Sequence, residues 1–413
     1  MSKRILFLIS DTGGGHRSSA QAITEAIHFL HPNQYETVIE DVWKNHTPHP
    51  FREIPRAYRW VVGPGLPVWK LMWHTMSQPA LQRRILEDVK YLVKDDMQAY
   101  FRTMRPDMVV SVHPLLNHIG LSCLRDIGYT VPFATVITDL FTFHPTWVDP
   151  RVDHCIVPTE AARVQAIELG MAPEKIAVYG QPVSIKFTQP VKDKMTLRNS
   201  LGLDAQRPAI LLVGGGEGSG PLVAIARQIA QRAPGTQLLV VAGRNHSLRQ
   251  ELETASWAQT PHVHIYGFVD NMPDLMHACD LIVTKAGPGT ISEALIAHLP
   301  IILFDFIPGQ ETGNVDYVER NGVGVLAQSP QEIARIVASW TRPGTNKLAQ
   351  FRANAERLAR PRASLLIAED LCHLVEHGIG LSRVATGQST SRHTGAANQA
   401  NSYPNIESVR EDA

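Results

Sequence analysis

Short apolar runs alternate with longer stretches in which apolar residues recur at helical spacing, and this alternation extends over most of the chain. The apolar runs are rich in Val, Ile and Leu, which is typical of strands buried on both faces of a parallel sheet. The first half has runs at 4–10, 37–42, 108–113, 133–139, 155–158 and 176–179, and the second half at 209–213, 237–242, 263–268, 281–284, 301–306 and 323–326. The pattern predicts two α/β halves, each a doubly wound parallel sheet with helices on both faces.

The boundary between the halves falls within 180–204, where a polar, charged segment interrupts the alternation. Two Rossmann-like domains of this kind, facing each other across a cleft, form the architecture called GT-B. We predict an N-terminal domain over 1–182, a C-terminal domain over 183–345, helices over 346–380 that pack back on the first domain, and a tail over 381–413. The tail is rich in Ser, Thr, Gly, Asn and Gln, so we expect it to be disordered.

Composition narrows the class of protein. A chain of 413 residues with 44% hydrophobic residues can form two cores, and its net charge of zero argues against nucleic acid as the main partner. The four cysteines are scattered without C-x-x-C spacing, as expected for reduced thiols in a cytosolic protein. Asp11 cuts short the first apolar run, which favours a strand over a signal peptide. Since no apolar run is long enough to span a bilayer, we expect a soluble or surface-bound protein.

The stretch 284–314, TKAGPGTISEALIAHLPIILFDFIPGQETGN, has the layout of a nucleotide site. An apolar run ends in Gly287, Pro288 and Gly289, and an alanine-rich helical pattern starts near Thr290. The first backbone N–H groups of such a helix have no intrahelical acceptor and can bind a diphosphate.

Three polar residues of the same stretch extend this prediction. Glu293 lies about one turn into the helix, where it could bind ribose hydroxyls, and Gln310 and Glu311 follow the next strand, at the sheet edge where ligands bind. An alternative for Glu293 is a capping box with Thr290, in which both side chains only satisfy backbone donors.

A second glycine-rich turn, DTGGGHRSSA at 11–20, follows the first strand and places His16 at a helix N-terminus. The helix dipole there favours a neutral imidazole, as a general base requires. The alternative is a histidine that merely caps the helix. The order G-G-G-H differs from the G-x-G-x-x-G fingerprint of dinucleotide sites. The acidic residue that such a site needs further along the chain would have to be Glu40 or Asp41, so a nicotinamide site is only weakly supported.

Further loops of the second half also follow strands. Gly215 and Gly216 belong to GGGEGSG at 214–220, which lacks the Lys-Ser/Thr of a P-loop and so argues against a nucleotide hydrolase. Arg244 follows a glycine at a strand end and is suited to a phosphate. Phe268 and Val269 come after another strand, where Phe268 could flank a base, although a core position fits this aromatic residue slightly better.

Loops of the first half supply candidates for an acceptor pocket. Asp139 could orient His16 or act as the base itself, and His113, His144 and Trp147 could line the pocket; alternatively, the loop histidines cap helices. No Asp-x-Asp or H-E-x-x-H spacing occurs, so we expect no metal site and no obligatory cofactor.

The segment 51–84 mixes basic and aromatic residues around the apolar, turn-rich stretch 61–68, VVGPGLPV. This composition favours contact with a membrane that carries anionic lipids. The alternatives are a buried insertion or lid and, less well supported, a nucleic-acid surface. The residues that we expect at the membrane or the acceptor are Arg56, Arg59, Trp60, Trp69 and Trp73.

Taken together, these motifs resemble the monogalactosyldiacylglycerol synthase family and the related processive diglucosyldiacylglycerol synthases of glycosyltransferase family 28. The resemblance covers about 4–335 and rests on GGGHRSSA, TDL and HPTW, YGQPV, LLVGGGEGSGP, VAGRN, GFVDNM, KAGPGTISEA and PGQETGN. For the segment 51–84 the match is compositional only.

The resemblance implies an inverting transfer of a hexose, with galactose favoured, from a UDP-sugar to the 3-hydroxyl of 1,2-diacylglycerol without an obligatory metal. It implies His16 as base with Asp139 as partner, and the turn 287–290 as the diphosphate site. Glu293 would bind ribose, and Gln310 with Glu311 the sugar. The expected location is peripheral, on the cytoplasmic face of the cell membrane.

Several alternatives stay open at this point. The donor could be UDP-glucose, with one sugar or several added. Other GT-B enzymes also fit, such as a UDP-N-acetylglucosamine 2-epimerase or the lipid-linked N-acetylglucosaminyl transferase of cell-wall synthesis. A non-catalytic nucleotide-sugar or lipid sensor would retain the same fold.

Overall fold

The computed structural model describes residues 2–378, apart from the side chain of Arg59, and the predicted tail over 381–413 lies outside these residues. The first sheet contains β1 (Lys3–Ile9), β2 (Tyr35–Asp41), β3 (Met108–Ser111), β4 (Phe133–Val136), β5 (His154–Val157) and β6 (Ile176–Val178). The second sheet contains β7 (Ala209–Val213), β8 (Gln237–Val241), β9 (Val263–Tyr266), β10 (Leu281–Lys285), β11 (Ile301–Asp305) and β12 (Gly324–Leu326). We call each sheet with its covering helices a lobe.

Both sheets are parallel and six-stranded, with the orders β2-β1-β3-β4-β5-β6 and β12-β11-β10-β7-β8-β9. All twelve predicted strands are present. The order changes direction between β1 and β3 in the first lobe and between β7 and β10 in the second. In doubly wound sheets such switch points open a crevice at the carboxyl ends of the strands. The two glycine-rich turns after β1 and β10 therefore start at these crevices, and the predicted fold class is confirmed.

The helices of the first lobe are α1 (Gly15–Leu30), α2 (Val42–Asn45), α3 (Ile54–Val61), α4 (Leu66–Met76), α5 (Pro79–Met104), α6 (Pro114–Asp126) and α7 (Glu160–Glu168). Those that follow are α8 (Lys194–Ser200), α9 (Leu222–Arg232), α10 (His246–Thr254), α11 (Met272–Ala278), α12 (Pro288–Ile296), α13 (Thr312–Arg320) and α14 (Pro330–Trp340). Two more helices, α15 (Lys347–Leu358) and α16 (Ala363–His377), end the described chain. Among residues 2–378, no helix combines the length and apolar character needed to cross a membrane.

The strands are buried because helices cover both faces of each sheet. Every residue from Ile5 to Ile9 of β1 is fully buried, which explains why this strand reads as a continuous apolar run. The apolar face of α16, including Ile367 and Leu371, packs into the core cluster that β1 and α1 form. In contrast, α15 packs against α12, with Ala355 in a core cluster of the second lobe. Of the two C-terminal helices, α16 therefore belongs to the core of the first lobe and α15 to that of the second.

Candidate active site

The two glycine-rich turns lead into two helices, one in each lobe, that touch each other. The first turn leads into α1, whose second residue is His16, and the second leads into α12, and these two helices are in contact. Open space surrounds Gly13, Gly14 and Gly15, since a Cβ atom built on any of them would have no neighbour within 4 Å. The turn therefore leaves room for a ligand next to His16.

His16 lies against two other aromatic side chains of the first lobe. Its ring centroid is 4.9 Å from that of His113 and 5.9 Å from that of Trp147. Burial lowers the pKa of His16 to about 4, and a backbone contact at Val112 only partly opposes this effect. Within the described chain, His16 Nδ1 has no hydrogen-bond partner. The imidazole is therefore neutral at pH 7 and carries an unused nitrogen, the state that a general base needs.

His113 contributes to this environment as a second neutral ring. It is buried, and burial lowers its pKa well below the usual value, with His16 acting in the same direction. Its Nε2 atom lies 3.5 Å from the hydroxyl of Thr12. His113 is the residue before α6 but makes no side-chain cap to that helix, so the capping alternative does not apply to it.

Asp139 lies just after β4 and accepts a hydrogen bond of 2.8 Å from the indole N–H of Trp147. Trp147 thus contacts both Asp139 and the His16 ring, and the role of Asp139 as orienting partner or base stays a prediction. Burial raises the pKa of Asp139 to about 7; the bond from Trp147 opposes this shift, and the charge of Glu311 adds to it. The influence of Glu311 places the second lobe close to this carboxyl group.

The start of α12 differs from the predicted one. The N-cap is Gly287 and the first helical residue is Pro288, with no side-chain cap. Thr290 is therefore the third helical residue, and the capping box that was the alternative for Glu293 does not form. Proline has no N–H group, so the free backbone donors of this turn are those of Gly289 and Thr290. A Cβ atom on Gly287 or Gly289 would meet nothing within 4 Å, which leaves these donors open to a ligand.

Glu293, on α12 of the second lobe, has a carboxyl group with a shifted pKa. Burial raises its pKa to about 7, and no other contact contributes to the shift. Glu293 itself is half-buried, and carboxyl groups whose pKa is raised by their surroundings concentrate at functional sites. Since Glu293 is not part of a capping box, the alternative that it only satisfies backbone donors does not apply.

The end of β10 adds a lysine that the sequence pattern did not single out, and its partner lies in the loop after β7. Lys285 ends β10, and its ammonium group donates a hydrogen bond of 2.7 Å to the hydroxyl of Ser219. The side chain crosses beside Gly215, since a Cβ atom there would lie 3.9 Å from Lys285 Cε. Its charge also opposes the rise that burial causes in the pKa of Glu311. The signal in the sequence was a lysine directly before AGPG, at the carboxyl end of a predicted strand.

Arg244 and Phe268 form an exposed pair at the same edge. The guanidinium carbon of Arg244 is 4.3 Å from the centroid of the Phe268 ring, and the Arg244 backbone N–H donates to the carbonyl of Gly216. Phe268 is 59% exposed, so the core position favoured from the sequence is wrong. Val269 is half-buried and packs against the core of the second lobe. The exposed ring offers a flat surface on which a base can stack.

Gln310 and Glu311 lie in the loop between β11 and α13. The side-chain oxygen of Gln310 accepts a hydrogen bond of 2.7 Å from the hydroxyl of Tyr58, which belongs to α3 of the first lobe. One carboxylate oxygen of Glu311 accepts from the N–H of Ile307 at 2.8 Å. Burial raises the pKa of Glu311, and that backbone bond opposes the shift. The remaining polar atoms of both side chains are available to a ligand.

Trp69 and Trp73 face this loop. The indole N–H of Trp69 donates to the carbonyl of Pro308 at 3.0 Å, and a Cβ atom on Gly309 would meet the ring of Trp73 at 3.0 Å. Both rings are half-buried against the second lobe, and their expected place at the membrane or the acceptor stays a prediction. Trp60, in contrast, is 57% exposed.

His144, also predicted for the acceptor region, packs against Trp73. The Trp73 ring lies 4.5 Å from that of His144, centroid to centroid. The Nδ1 atom of His144 caps the short helical turn that contains Trp147, accepting from the N–H of Thr146, so the capping alternative holds for this histidine. Arg56 is exposed, and the side chain of Arg59 is outside the described part of the chain.

Over residues 2–378, no group of three or more acidic, His or Cys side chains could hold a metal ion.

Comparison with known proteins defines the class and then the family. Residues 209–365 match the model of the glycosyltransferase family 28 C-terminal domain. Among solved structures, MurG of Acinetobacter baumannii superposes with a TM-score of 0.55 at 14% identity, covering 89% of this chain and 98% of that one. A putative UDP-N-acetylglucosamine 2-epimerase from Listeria monocytogenes superposes with a TM-score of 0.56 at 13% identity, covering 91% and 96%. At such low identity these neighbours show the fold alone, a two-lobed α/β fold of the GT-B type, and the matching domain makes the chain a glycosyltransferase.

Closer relatives identify the family. Residues 16–183 match the model of monogalactosyldiacylglycerol synthase. A probable monogalactosyldiacylglycerol synthase of Glycine max is 43% identical over 90% of this chain and 72% of its own length. The enzyme of Spinacia oleracea is 42% identical over 91% of this chain and 73% of its own length. The chain therefore belongs to the monogalactosyldiacylglycerol synthase family, which confirms the resemblance seen in its motifs.

Proposed function

We propose that this protein is an inverting galactosyltransferase that moves galactose from UDP-galactose to the 3-hydroxyl of 1,2-diacylglycerol and so makes a β-galactosyl glycolipid. The observation that carries the proposal is the contact between α1 and α12, which joins the helix of His16 to the helix of the diphosphate turn. A base and a leaving-group site on two lobes suit a displacement between them. Membership of the family supplies the substrate class, and the domain bounds 1–182, 183–345 and 346–380 stay predictions.

The transfer is a single displacement. The acceptor oxygen attacks the anomeric carbon from the face opposite UDP while its proton passes to the neutral imidazole of His16. The bond between that carbon and the diphosphate oxygen breaks, and UDP leaves with the electron pair. Because attack and departure occur on opposite faces, the α-linked donor gives a β-linked product.

The leaving diphosphate requires electrostatic stabilisation at the turn before α12. The backbone N–H groups of Gly289 and Thr290 lie at the positive end of the helix dipole. Lys285, two residues before the N-cap of α12, adds a positive charge. In this proposal the chain's own donors serve the role that a divalent cation serves in other transferases.

The rest of the donor lies along the edge of the second sheet. The Phe268 ring, backed by the Arg244 guanidinium, takes the uracil, and the Glu293 carboxylate accepts from the ribose hydroxyls. Gln310 and Glu311 bind hydroxyls of the hexose. Galactose and glucose differ in the direction of one hydroxyl, so this loop also decides between the two donors.

The membrane-facing surface is the outer face of α4 together with Trp60. Val68, Leu71 and Met72 recur at helical spacing and are 44%, 67% and 49% exposed. Exposed apolar residues that share one face of a helix mark an interaction surface. Arg52, Arg56 and Lys70 are exposed in the same segment and suit anionic lipid headgroups. We place the protein peripherally on the cytoplasmic face of the cell membrane, with this face in contact with lipid.

The decisive experiment supplies the protein with diacylglycerol-containing liposomes and, in separate reactions, UDP-galactose, UDP-glucose or UDP-N-acetylglucosamine. We expect a β-galactosyl diacylglycerol, identified by mass spectrometry and by the anomeric proton in NMR. Liposomes without diacylglycerol serve as the control and should yield no glycolipid. Production of a glucolipid would change the donor, whereas epimerisation of UDP-N-acetylglucosamine without lipid would contradict the proposal.

A further inference from the structure

The helical segment that carries the apolar outer face also contacts the loop assigned to the donor sugar. Along α4, Val68, Leu71 and Met72 point outward, while Trp69 and Trp73 lie on the opposite face, spaced one helical turn apart. The inner face rests on the Pro308–Gly309 turn of the second lobe. One short helix thus joins an exposed apolar surface to the sugar loop.

Tyr58 of α3 extends this contact to a side chain. Its ring meets the Trp69 ring edge to face with a centroid distance of 5.8 Å, and its hydroxyl donates to Gln310 Oε1 at 2.7 Å. Burial raises the pKa of the Tyr58 phenol, so this group remains a donor across the physiological range. The ring packing fixes the position of the hydroxyl, and the hydroxyl fixes the amide.

The hydrogen bond determines which way the Gln310 amide faces. A carboxamide has an acceptor oxygen on one side and a donor NH₂ on the other. When Oε1 is held by a tyrosine hydroxyl, the NH₂ group must point away from it, toward the space beside the loop. A fixed NH₂ donor suits a hydroxyl oxygen of a hexose better than an amide that flips between its two orientations.

We propose that Tyr58 is a positioning residue for donor recognition, holding the Gln310 amide with its NH₂ group directed at the hexose of the UDP-sugar. This inference rests on the proposed function. Because Tyr58 belongs to the first lobe and Gln310 to the second, the sugar subsite is complete only while α3 rests on the second lobe. The lobe that binds the acceptor therefore contributes to recognition of the donor.

The test compares binding of UDP-galactose with binding of UDP, by calorimetry and without any lipid acceptor. For Tyr58→Phe we expect UDP-galactose to bind about 5–10-fold more weakly, the effect of one lost hydrogen bond, while UDP binds as in the wild type. Gln310→Ala should cause a similar loss, and adding Tyr58→Phe to it should cause no further loss. Tyr91→Phe is the matched control, since Tyr91 is 71% exposed on α5 and should leave both affinities unchanged.

The Gln310→Glu variant tests whether the NH₂ group itself is needed, apart from the hydrogen bond to Tyr58 that orients the side chain. The carboxylate can still accept from Tyr58 but has no NH₂ group to offer, so UDP-galactose binding should fall as in Gln310→Ala. Unchanged UDP-galactose affinity in Tyr58→Phe would overturn the proposal, as would an equal loss for UDP or additive losses in the double variant. These binding measurements do not require transfer. If the galactolipid assay failed, the proposed reaction would be contradicted, while the binding results would still decide the role of Tyr58.

Discussion

Asn314 of the second lobe bonds to the first lobe through one end of its side chain and to its own lobe through the other. Its oxygen accepts a hydrogen bond of 3.1 Å from the backbone N–H of Leu140 in the first lobe, and its NH₂ group donates to the carbonyl of Ala286 at 3.0 Å. Asn314 is fully buried. The same approach explains Gly313, because a Cβ atom there would lie 2.2 Å from the hydroxyl of Thr142. The loop behind Asp139 and the turn before α12 are thus held at one spacing by a single side chain.

Replacing Asn314 by alanine should destabilise the protein by about 1–3 kcal/mol, because it leaves a buried N–H and a buried carbonyl without partners. Urea unfolding measures the loss. Asn199→Ala is the control, since Asn199 is exposed on α8, and should change stability by less than about 0.5 kcal/mol. Because the bonds of Asn314 join the two lobes, we also expect slower transfer at saturating donor. A variant with full stability and full activity would refute the bridging role.

Glu293 should make stability depend on pH near neutrality. Its pKa is raised to about 7 in the folded protein, above the ordinary glutamate value of 4.5, so the folded state keeps this proton while the unfolded state loses it. Unfolding free energy should therefore fall as pH rises from about 4.5 through 7. Glu293→Gln removes this term, and its advantage over the wild type should grow to about 1–3 kcal/mol at pH 8. Thermal unfolding of both proteins across pH 5–8 measures the difference, and a constant offset would contradict the shifted pKa.

The fold could be predicted from the sequence because strands buried on two faces give continuous apolar runs. The run ILFLI of β1 carries that signal by itself. The glycine turns could be located for the same reason, since they follow predicted strands. What the pattern missed are contacts between lobes: Tyr58 with Gln310, and Asn314 with Leu140, are separated by 252 and 174 residues. Periodicity reports which face of an element is buried and contains no information about its partner. For the same reason, the pattern gave no sign that the half-buried rings of Trp69 and Trp73 cover the loop at Pro308 and Gly309.

Lys285 should matter for the diphosphate and not for the nucleoside. Lys285→Gln removes one charge beside the turn of α12, so UDP should bind at least about tenfold more weakly. Uridine carries no phosphate, and its affinity should stay within about twofold of the wild type. Lys285→Arg keeps the charge and should recover part of the loss. Titration of each variant with UDP, UMP and uridine separates the cases. An equal loss for uridine would mean that Lys285 only supports the loop through Ser219.

The exposed face of α4 should control liposome binding without affecting the donor site. Leu71→Glu together with Met72→Glu places two charges where we propose acyl chains, and should lower partitioning into diacylglycerol-containing vesicles about tenfold or more. UDP affinity should not change. Val164→Glu alters an apolar residue that is 49% exposed on α7 and provides the matched control. Vesicles with and without anionic lipid distinguish apolar from electrostatic attachment, and undiminished partitioning of the double variant would exclude this face as the contact.

His16 should be essential for transfer and dispensable for UDP binding. Alanine removes the neutral imidazole at the start of α1, so the acceptor proton loses its base, and we expect transfer to fall at least about 10²-fold while the dissociation constant for UDP stays the same. His28→Ala, on the exposed side of the same helix, should retain full activity.

The low pKa of His16 provides an independent check. With a pKa of about 4 against an unfolded value of 6.5, His16 takes up its proton only in the unfolded state between these values. Its contribution to stability should therefore be complete above pH 6.5 and decline as pH falls toward 4. NMR titration of the imidazole should show a neutral ring at pH 6, and a ring charged at that pH would be unable to accept the proton that the mechanism assigns to it.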